Sequence, residues 1–431
     1  MKRFFAQLSI EKKRKNTTRV FPFLFVLLLL LTACGQRRSA VPETPVVQQP
    51  EEPYSRYLPD TSAEMEQEPS AEEPTEAELA ARAAAEEAAR VREILDGMTT
   101  EEKVGQLFFV RCPAADVEAK IAEYHLGGVL LFTRDYQDAN GDWLTKEDFV
   151  AKLQGYQAAA ADDTGISLFI GSDEEGGAVT RASRNPYLFP AKSQSPQALY
   201  ASGGIGAILN DAMEKNFLLR ELGVNVNFAP VADVSTDPND FIYDRTLGQD
   251  AAATADYVSR VVSAMGDAGV DSVLKHFPGY GNNADTHTGV AVDERPYETF
   301  ETVDFLPFAA GIDAGAPFVL ASHNVVTCMD PELPASLSPA VHEILRGELG
   351  FEGVILTDDL AMDAVRAYTN DGSVAVLALL AGNDMIVTTD FETQIPQVLA
   401  AVEDGTISGE LLDAAAARVL KAKLELGLLE G

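Results

Sequence analysis

Several residue types are scarce in this chain of 431 residues, and their scarcity argues against certain functions. Three cysteines leave no cysteine-based metal site. Lys and Arg number 33 against 67 Asp and Glu, which gives a formal net charge of −34. Such an acidic surface would repel nucleic-acid phosphates, so we expect no nucleic-acid partner. Hydrophobic residues nevertheless make up 46% of the chain, and a sizeable core is therefore expected.

The first 33 residues have the order of a secretion signal. Basic residues precede an apolar run at 21–31, which is short for a transmembrane helix, and small residues follow up to Cys34. The segment around Cys34 resembles the lipobox of bacterial lipoproteins. This resemblance implies cleavage before Cys34, lipidation of its thiol, and an extracytoplasmic protein anchored to the bacterial cell membrane. The alternative is an ordinary secreted protein with Cys34 near the cleavage site.

Two further segments separate this signal from the main domain. Residues 34–75 are rich in Pro, Glu and Ser and poor in large apolar residues. Such a segment cannot bury enough surface to offset its ordering entropy, so we predict a disordered linker. Residues 76–92 are rich in Ala and Glu and predict a helix, which is either a stalk or the first helix of the domain.

From residue 93 to residue 431, short apolar runs alternate with longer stretches of helical periodicity. Each run is almost continuously apolar, as expected for parallel strands that are covered on both faces. Eight such units predict an α/β fold, a single (β/α)8 TIM barrel, with a doubly wound open sheet as the alternative. The predicted strands cover residues 107–112, 127–132, 168–172, 224–230, 272–277, 318–322, 353–357 and 384–388.

Polar residues follow five successive predicted strands, at the ends where barrel enzymes carry their active sites. Gly279 and Gly281, after the fifth strand, predict a sharp turn, because glycine adopts positive φ at no steric cost. The polar residues, in strand order, are Asp173 with Glu174 and Glu175, Asp233 with Asp244 and Arg245, Lys275 with His276, His323 with Asn324, and Asp358 with Asp359.

Two pairs among these loops carry groups suited to catalysis. Asp358 and Asp359 end a very apolar strand, where one is expected to cap the next helix and the other is either a nucleophile in the barrel mouth or structural. Asp285 and His287 lie two residues apart, so the carboxylate would orient the imidazole for general acid and base catalysis. The simpler interpretation of His287 is a loop histidine with a chance neighbour.

Metal and thiol chemistry are less well supported. Barrel hydrolases do use sets of His and Asp as metal ligands, but none of the tight His spacings typical of such sites occurs, so we expect no metal and no cofactor. Cys112 and Cys328 lie in apolar, strand-like surroundings and predict buried free thiols, with a disulfide as the alternative. The candidate metal set would be His276, Asp285, His287 and His323.

Four blocks of these residues together resemble glycoside hydrolase family 3, and within it the single-domain β-N-acetylhexosaminidases. The resemblance covers residues 94–429, and its four blocks stand in order at the ends of four predicted strands. The blocks are residues 173–181, residues 227–233 with 244–248, residues 275–281 with 285–287, and residues 357–362.

The resemblance implies a retaining β-N-acetylglucosaminidase with a covalent glycosyl–enzyme intermediate. It implies Asp358 as the nucleophile, Asp359 in a supporting or capping role, and His287 paired with Asp285 as general acid and base. A carbohydrate with terminal β-linked N-acetylglucosamine would be the substrate, and we expect peptidoglycan fragments as its source and a monomeric enzyme. The residues that would hold the sugar are Asp173, Arg181, Arg245, Lys275 and His276.

The sequence departs from the family pattern in the loop after the fifth strand. Tyr280 stands between Gly279 and Gly281 where the family usually has histidine, and the segment before Asp285 is one residue shorter. Both departures bear on the reach of the loop and on its preference for a leaving group. No large extra domain is expected, which is typical of the compact branch. The alternatives are a β-glucosidase or β-xylosidase of the same family, a metal-dependent hydrolase, and an inactive sugar-binding lipoprotein.

Overall fold

Eight parallel strands lie at the centre of the computed structural model, which describes residues 75–283, 291–362, 365, 368 and 373–429. The strands are almost entirely buried, as their apolar sequences predict. The predicted signal peptide, Cys34, the linker up to residue 74, Asp285 and His287 lie outside the described residues. The strands are β1 (Phe108–Arg111), β2 (Gly128–Leu131), β3 (Phe169–Ser172), β4 (Val226–Asn227), β5 (Asp271–Phe277), β6 (Phe318–Ala321), β7 (Val354–Thr357) and β8 (Ile386–Thr388).

The strands close into a barrel. They pair in the order β8-β1-β2-β3-β4-β5-β6-β7, and every pairing is parallel. A parallel bridge between Leu356 in β7 and Met385, just before β8, joins the two outer strands. The predicted (β/α)8 barrel is therefore confirmed. The alternative of an open sheet is wrong, because an open sheet would leave two edge strands without partners.

Helices occupy the connections between the strands. Thr145, Ser195 and Asp250 begin three of them, since each side chain accepts a hydrogen bond from the backbone N–H three residues on. None of the described helices is both long and apolar enough to cross a membrane. The helices are α1 (Glu76–Gly97), α2 (Thr100–Gln106), α3 (Val117–Glu123), α4 (Lys146–Thr164), α5 (Pro196–Glu221), α6 (Ala251–Ala268), α7 (Tyr297–Thr299), α8 (Phe305–Asp313), α9 (Pro339–Glu343), α10 (Val374–Ala381), α11 (Phe391–Glu403) and α12 (Gly409–Glu425).

Aromatic rings from alternate strand positions fill the barrel interior. The ring centroid of Phe109 lies 6.1 Å from that of Phe169 and 5.3 Å from that of Phe228. Gly171 has to be small here, because an added Cβ would lie 2.8 Å from the rings of Phe109 and Phe228. Side chains alternate between the two faces of a strand. The residue two positions after an interior aromatic residue therefore also faces the interior, nearer the C-terminal end of the strand. By this alternation Arg111, two residues after Phe109, faces the mouth of the barrel.

A buried ionic network closes the end of the barrel where the strands begin. Asp384, two residues before β8, is 1% exposed and accepts hydrogen bonds from the guanidinium groups of both Arg346 and Arg418. The same carboxylate accepts the backbone N–H of Ile355 at 2.8 Å. Burial raises the pKa of Asp384, and the two arginine charges oppose that shift. This network therefore ties β7, β8 and α12 together.

A buried lysine completes that end of the barrel. Lys423 in α12 is 0% exposed, and its Nζ donates to Gln106 Oε1 at 2.6 Å and to the Ser167 carbonyl at 2.7 Å. The ammonium also lies 5.2 Å from the ring centroid of Phe169, within the range of a cation–π contact. Burial lowers the pKa of Lys423 well below its ordinary value. These hydrogen bonds tie α12 to the residues that precede β1 and β3.

The two cysteines of the described domain are free and lie in different surroundings. Cys112 directly follows β1 and is buried, as predicted, and burial raises the pKa of its thiol to about 12. Cys328 is exposed, so its predicted burial is wrong. The strand that precedes it, Val325–Val326, has only two residues and pairs with Val292–Asp293 outside the barrel, so the chain emerges at the surface by residue 328.

Candidate active site

A cavity of about 270 Å³ opens at the end of the barrel where the strands finish. Seven of the residues that line it are apolar and eight are charged or polar. Such a mixture suits a ligand that has polar edges and less polar faces. The apolar lining consists of Leu130, Phe132, Val179, Phe228, Leu320, Met362 and Val387. The charged and polar lining consists of Arg111, Asp173, Arg181, Arg245, Lys275, His276, Asp358 and Asp359.

Lys275 is the most deeply enclosed paired cation of the cavity, with a side chain that is 3% exposed. It lies in β5 and lines the cavity, so its side chain faces the barrel interior. Its Nζ lies 2.9 Å from Asp173 Oδ1 and 2.6 Å from Glu175 Oε1. Charge-assisted hydrogen bonds of this length fix the direction of Asp173 at the cavity wall.

Arg245 forms the second ionic connection, and it too involves Glu175. Its Nε donates to Glu175 Oε2 at 3.0 Å and its Nη2 donates to Glu175 Oε1 at 2.7 Å, a bidentate pair. Burial alone would raise the pKa of Glu175, but the charges of Arg245 and Lys275 outweigh burial and hold that pKa below its ordinary value. Glu175 is thus an ionised group beneath the cavity that aligns both cations.

His276 is held between a carboxylate and a guanidinium. Its Nδ1 lies 2.7 Å from Asp233 Oδ2, and Arg245 Nη2 lies 3.1 Å from its Nε2. A guanidinium can only donate, so these partners fit the tautomer that carries its proton on Nδ1. Asp233 also accepts the backbone N–H groups of His276 at 3.1 Å and Tyr280 at 2.7 Å. One buried carboxylate therefore orients the ring and the start of the following loop.

Glu174 shapes the loop that brings Arg181 to the cavity. It is 0% exposed and accepts the backbone N–H of Arg181 at 2.8 Å and that of Ser183 at 3.3 Å, while the Ser183 hydroxyl donates to its other oxygen. Arg181 Nη2 then lies 3.5 Å from Asp173 Oδ2. Three neighbouring acidic residues in the sequence therefore have three tasks: Asp173 faces the cavity, Glu174 folds the loop and Glu175 aligns the cations.

Asp358 and Asp359 follow β7 and differ in their hydrogen bonds. Asp358 lines the cavity, and its Oδ1 accepts the backbone N–H of Asp359 at 2.8 Å. Asp359 Oδ1 accepts the backbone N–H of Ala361 at 2.9 Å, which is the capping geometry expected of one member of the pair. Burial, and then the negative charge of Asp358, raise the pKa of Asp359. The buried His323 lies with Nε2 3.1 Å from the Asp359 carbonyl oxygen and supports this turn from below.

The predicted turn after β5 is present. Gly279 and Gly281 have φ of 126° and 56°, and an added Cβ on Gly279 would lie 2.3 Å from Asp304 Oδ1. Residues 284–290 are not described, but both of their flanks are. Asn283 Nδ2 donates to Asp293 Oδ2 at 2.9 Å, so one hydrogen bond joins the two flanks at the base of the segment that carries Asp285 and His287.

The structure brings six of the eight predicted catalytic and sugar-binding residues to one cavity. The other two, Asp285 and His287, lie outside the described residues. Sequence reasoning did not single out Arg111 and Phe132, which also line the cavity, and assigned no separate role to Glu175 and Asp233 beneath it. The six are Asp173, Arg181, Arg245, Lys275, His276 and Asp358.

The metal interpretation has little support in the described part of the chain. No group of three or more His, Cys, Asp or Glu side chains there has the arrangement of a metal site. His276 is engaged by Asp233 and Arg245, as shown above. His323 Nδ1 lies 2.7 Å from the hydroxyl of Ser336 in a buried position. Neither ring therefore presents a ring nitrogen to the cavity as a ready ligand.

Comparison with curated proteins places this architecture among known enzymes. A protein named beta-hexosaminidase from Xanthomonas campestris pv. campestris is 34% identical over 308 residues, which cover 70% of this chain and 85% of that relative. A beta-hexosaminidase from Xylella fastidiosa is 37% identical over 268 residues, covering 61% of this chain and 76% of the relative.

Solved structures agree with these relatives. A glycoside hydrolase family 3 beta-N-acetylglucosaminidase from Paenibacillus sp. has a TM-score of 0.71 and 32% identity, covering 78% of this chain. This chain spans 64% of that longer protein. A beta-N-acetylhexosaminidase from Beutenbergia cavernae has a TM-score of 0.67 and 30% identity, covering 76% of this chain and 98% of its own.

The family model described as the glycosyl hydrolase family 3 N terminal domain matches residues 99–422, which include the whole barrel and every cavity residue named above. With this match and the curated relatives together, the chain belongs to glycosyl hydrolase family 3.

Proposed function

We propose that the protein is a retaining exo-β-N-acetylglucosaminidase that hydrolyses terminal β-linked N-acetylglucosamine. The observation that carries the proposal is the convergence of six residues from four sequence blocks on one cavity of about 270 Å³. That volume suits one sugar unit, as an enzyme that removes terminal residues needs. The names of the relatives from Xanthomonas, Xylella, Paenibacillus and Beutenbergia point to the same substrate class.

In the first step Asp358 acts as the nucleophile. One carboxylate oxygen forms a bond to the anomeric carbon, the bond from that carbon to the glycosidic oxygen breaks, and the electron pair stays on the leaving oxygen. The backbone N–H of Asp359 donates to Asp358 Oδ1 at 2.8 Å and fixes the orientation of this carboxylate at the cavity. Asp359 keeps the turn in place through its hydrogen bond to Ala361.

His287, paired with Asp285, acts as the acid and then as the base. In the first step its imidazolium donates a proton to the leaving oxygen, so the aglycone departs as a neutral alcohol. In the second step the neutral imidazole takes a proton from water, the water oxygen attacks the anomeric carbon, and the bond to Asp358 breaks. The sugar is released with retained configuration and both groups return to their starting states.

The paired charges around the cavity hold the sugar. Asp173, fixed by Lys275 at 2.9 Å, presents a carboxylate oxygen to neighbouring hydroxyl groups. Arg181 and Arg245 present guanidinium N–H groups to sugar oxygens, and His276 is held in one orientation by Asp233. Because these groups already hydrogen-bond one another, the site is organised before the sugar arrives and loses little freedom on binding.

The proposed location is the outer face of a bacterial cell membrane. A lipid on Cys34 would anchor the enzyme, and residues 34–75 would separate the barrel from the membrane surface. N-acetylglucosamine is abundant in the wall around such a membrane, so peptidoglycan fragments are the proposed natural substrate. Globomycin treatment of the producing cells, followed by mass measurement of the protein, tests the anchor: an unchanged mass and free secretion would overturn it.

A panel of nitrophenyl glycosides tests the activity. We expect kcat/KM for the β-N-acetylglucosaminide to exceed that for the β-glucoside and the β-xyloside by at least about 100-fold, because one buried hydrogen-bonded substituent discriminates by that much or more. A preference for the glucoside or xyloside would favour the alternative enzymes of the same family. Binding of N-acetylglucosamine without turnover from pH 4 to 8 would favour an inactive sugar-binding protein.

The role of His287 needs a second panel, since a good leaving group requires little protonation. His287→Ala should lower kcat/KM by about 10²- to 10⁴-fold for a disaccharide and far less for a dinitrophenyl glycoside. Equal losses for both substrates would contradict the acid role. Activity that is unchanged by a chelator such as EDTA would exclude the metal-dependent alternative.

A further inference from the structure

Arg111 occupies a position in the cavity wall that the proposed reaction has not used. It is the last residue of β1, two positions after Phe109, whose ring is packed inside the barrel. The alternation of side chains along a strand therefore directs Arg111 into the barrel mouth. It lines the same cavity as Asp173, Lys275 and Asp358.

The guanidinium of Arg111 differs from the other cations of the cavity in its partners. Lys275 and Arg245 share Glu175 at 2.6 and 2.7 Å, and Arg181 approaches Asp173 at 3.5 Å. The Nε atoms of Arg111 and Arg181 are both buried without a hydrogen-bond partner among the described residues, but Arg181 has its ion pair with Asp173, whereas Arg111 has no ion pair there. A buried donor without a partner is costly, and it becomes favourable when a ligand supplies the acceptor.

An aromatic ring fixes this guanidinium without neutralising its charge. The Cζ of Arg111 lies 4.1 Å from the ring centroid of Phe132, and the Cζ of Arg181 lies 5.2 Å from the same centroid. Stacking on a ring restricts the rotation of an arginine while leaving its N–H edge available for hydrogen bonding. Arg111 thus lines the cavity, stacks on Phe132 and forms no ion pair with a carboxylate of the described residues.

We propose that Arg111 hydrogen-bonds an oxygen atom of the terminal sugar and so helps the enzyme to select its substrate. The inference rests on the proposed function, because it requires that a sugar occupies this cavity. The planar guanidinium presents two N–H groups side by side and suits two neighbouring sugar oxygens or one acetamido carbonyl oxygen. Phe132 is the positioning residue that holds the guanidinium in that orientation.

Two sets of changes test this contact: variants that remove the Arg111 donor, and substrate analogues that each lack one oxygen-bearing group of the sugar. The variants are Arg111→Met, which keeps most of the stem, and Arg111→Lys, which keeps the charge without the planar fork. The substrates are the nitrophenyl β-N-acetylglucosaminide and its 3-deoxy, 4-deoxy, 6-deoxy and N-deacetylated analogues. On the complete sugar, Arg111→Met should lower kcat/KM by about 10- to 100-fold, as expected for a hydrogen bond to a charged group. For the analogue that lacks the partner oxygen, the ratio of wild type to variant should approach one.

Two controls separate this contact from a loss of folding or charge. Arg260→Gln removes one positive charge from the exposed outer face of α6, where Arg260 pairs with Asp256, and should leave the rate unchanged. Thermal unfolding of both Arg111 variants with and without N-acetylglucosamine reports whether the fold persists. If an Arg111 variant does not fold, kcat/KM for the same analogues can be compared between wild type and Phe132→Leu. That variant disturbs the orientation of Arg111 by way of its positioning residue.

The possible outcomes distinguish the two proposals. If wild type hydrolyses the N-acetylglucosaminide and Arg111→Met loses less than threefold, the Arg111 contact is overturned and the proposed function stands. A large loss that is equal for all analogues also overturns the contact, because it shows that Arg111 acts through packing alone. If wild type hydrolyses none of the glycosides, the proposed function fails, and the inference fails with it.

Discussion

The two ends of the barrel contain the same kinds of buried charge and use them differently. At the end where the strands begin, Asp384 is enclosed by Arg346, Arg418 and a backbone N–H, and Lys423 donates only to protein oxygens. At the end where the strands finish, the ion pairs border a cavity of about 270 Å³. At the first end the buried charges pair with protein groups in the core, and at the second they line the cavity at the barrel mouth.

This difference teaches that buried ion pairs do not by themselves indicate a binding site. Both ends have a carboxylate shared by two cations: Asp384 between two arginines, and Glu175 between Arg245 and Lys275. What marks the active end is that both cations of the shared carboxylate line a cavity at the barrel mouth, beside Arg111, whose buried Nε has no hydrogen-bond partner among the described residues. Substitutions made separately at each end therefore test this distinction.

The largest expected effect belongs to the nucleophile at the open end. Asp358→Asn removes the charge that forms the covalent bond and should lower kcat by about 10⁴-fold or more, since reacting groups of covalent mechanisms cost this much when removed. The free energy of unfolding should change by less than about 1 kcal/mol, because the amide keeps the size of the side chain. Steady-state rates and urea unfolding measure the two quantities.

Asp359→Asn is the matched control for that variant. It lies next to Asp358, and its amide keeps the oxygen that accepts the backbone N–H of Ala361, so it should change stability by less than about 1 kcal/mol and lower kcat far less than Asp358→Asn does. If the two variants exchanged these effects, the assignment of nucleophile and cap would be reversed.

The shared carboxylates at the two ends form the most direct comparison. Glu175→Gln and Asp384→Asn should each lower the free energy of unfolding by about 3 kcal/mol, because each leaves two buried cations with reduced compensation. Only Glu175→Gln should also raise KM, since Arg245 and Lys275 line the cavity. Chemical denaturation together with Michaelis–Menten kinetics on both variants measures this, and a raised KM in Asp384→Asn would contradict it.

The stability difference between wild type and Glu175→Gln should depend on pH in a definite direction. The pKa of Glu175 is lowered in the folded protein from an ordinary value of 4.5, so its charge stabilises the fold above that pH. The stability difference between wild type and Glu175→Gln should therefore be full near neutral pH and shrink as the pH falls below about 4.5, toward the folded pKa. A difference that grows on acidification would contradict the proposed ionisation.

A smaller effect is expected from Asp271 at the closed end, where β5 begins. Its Oδ2 is buried without a partner among the described residues, and burial, followed by the charge of Glu425, raises its pKa to about 8. The folded protein therefore holds a proton that the unfolded chain releases near pH 4, and stability falls as the pH rises from 4 to 8. Asp271→Asn should stabilise the protein by about 2 kcal/mol at pH 8.5 and by much less at pH 5. The free energies of unfolding of wild type and Asp271→Asn, measured at both pH values, check this. An equal difference at the two pH values would contradict the raised pKa.

Much of the barrel was predictable from the sequence, because parallel strands buried on both faces leave continuous apolar runs. The predicted strands at 107–112 and 353–357 extend only one or two residues beyond the observed β1 and β7. The fourth prediction, 224–230, was too long: β4 ends at Asn227. Beyond it Phe228 still donates its N–H to the Ser172 carbonyl at 2.9 Å, whereas Pro230 has no N–H to donate to a neighbouring strand. Helix α5 gave a weak signal, since Gly203 and Gly204 are not helical within it.

The candidate site was predictable where residues form blocks and not where they act singly. Asp173, Lys275 and Asp358 lie in runs of polar residues after strands, and the structure places all three at one cavity. Arg111 stands alone after an apolar strand and gave no motif. Arg111 is two residues after Phe109 and therefore shares its strand face. This spacing could have placed Arg111 in the barrel mouth only if the interior face of the strand were already known. The roles of Asp285 and His287 stay predictions, and His287→Ala tests the proposed acid.

The enclosure of the cavity cations has a consequence for the solvent conditions under which the enzyme works. Dissolved ions screen charges that face water, with a screening length of about 8 Å at physiological ionic strength, but they cannot enter between Lys275 and its two carboxylates. Hydrolysis of a neutral glycoside should therefore change less than about twofold between 50 mM and 500 mM NaCl. The formal net charge of −34 remains open to screening, so polyanionic glycans should be hydrolysed faster as salt is added. Hydrolysis in the cavity would thus be insensitive to salt, while the negative surface charge would favour uncharged substrates at low ionic strength.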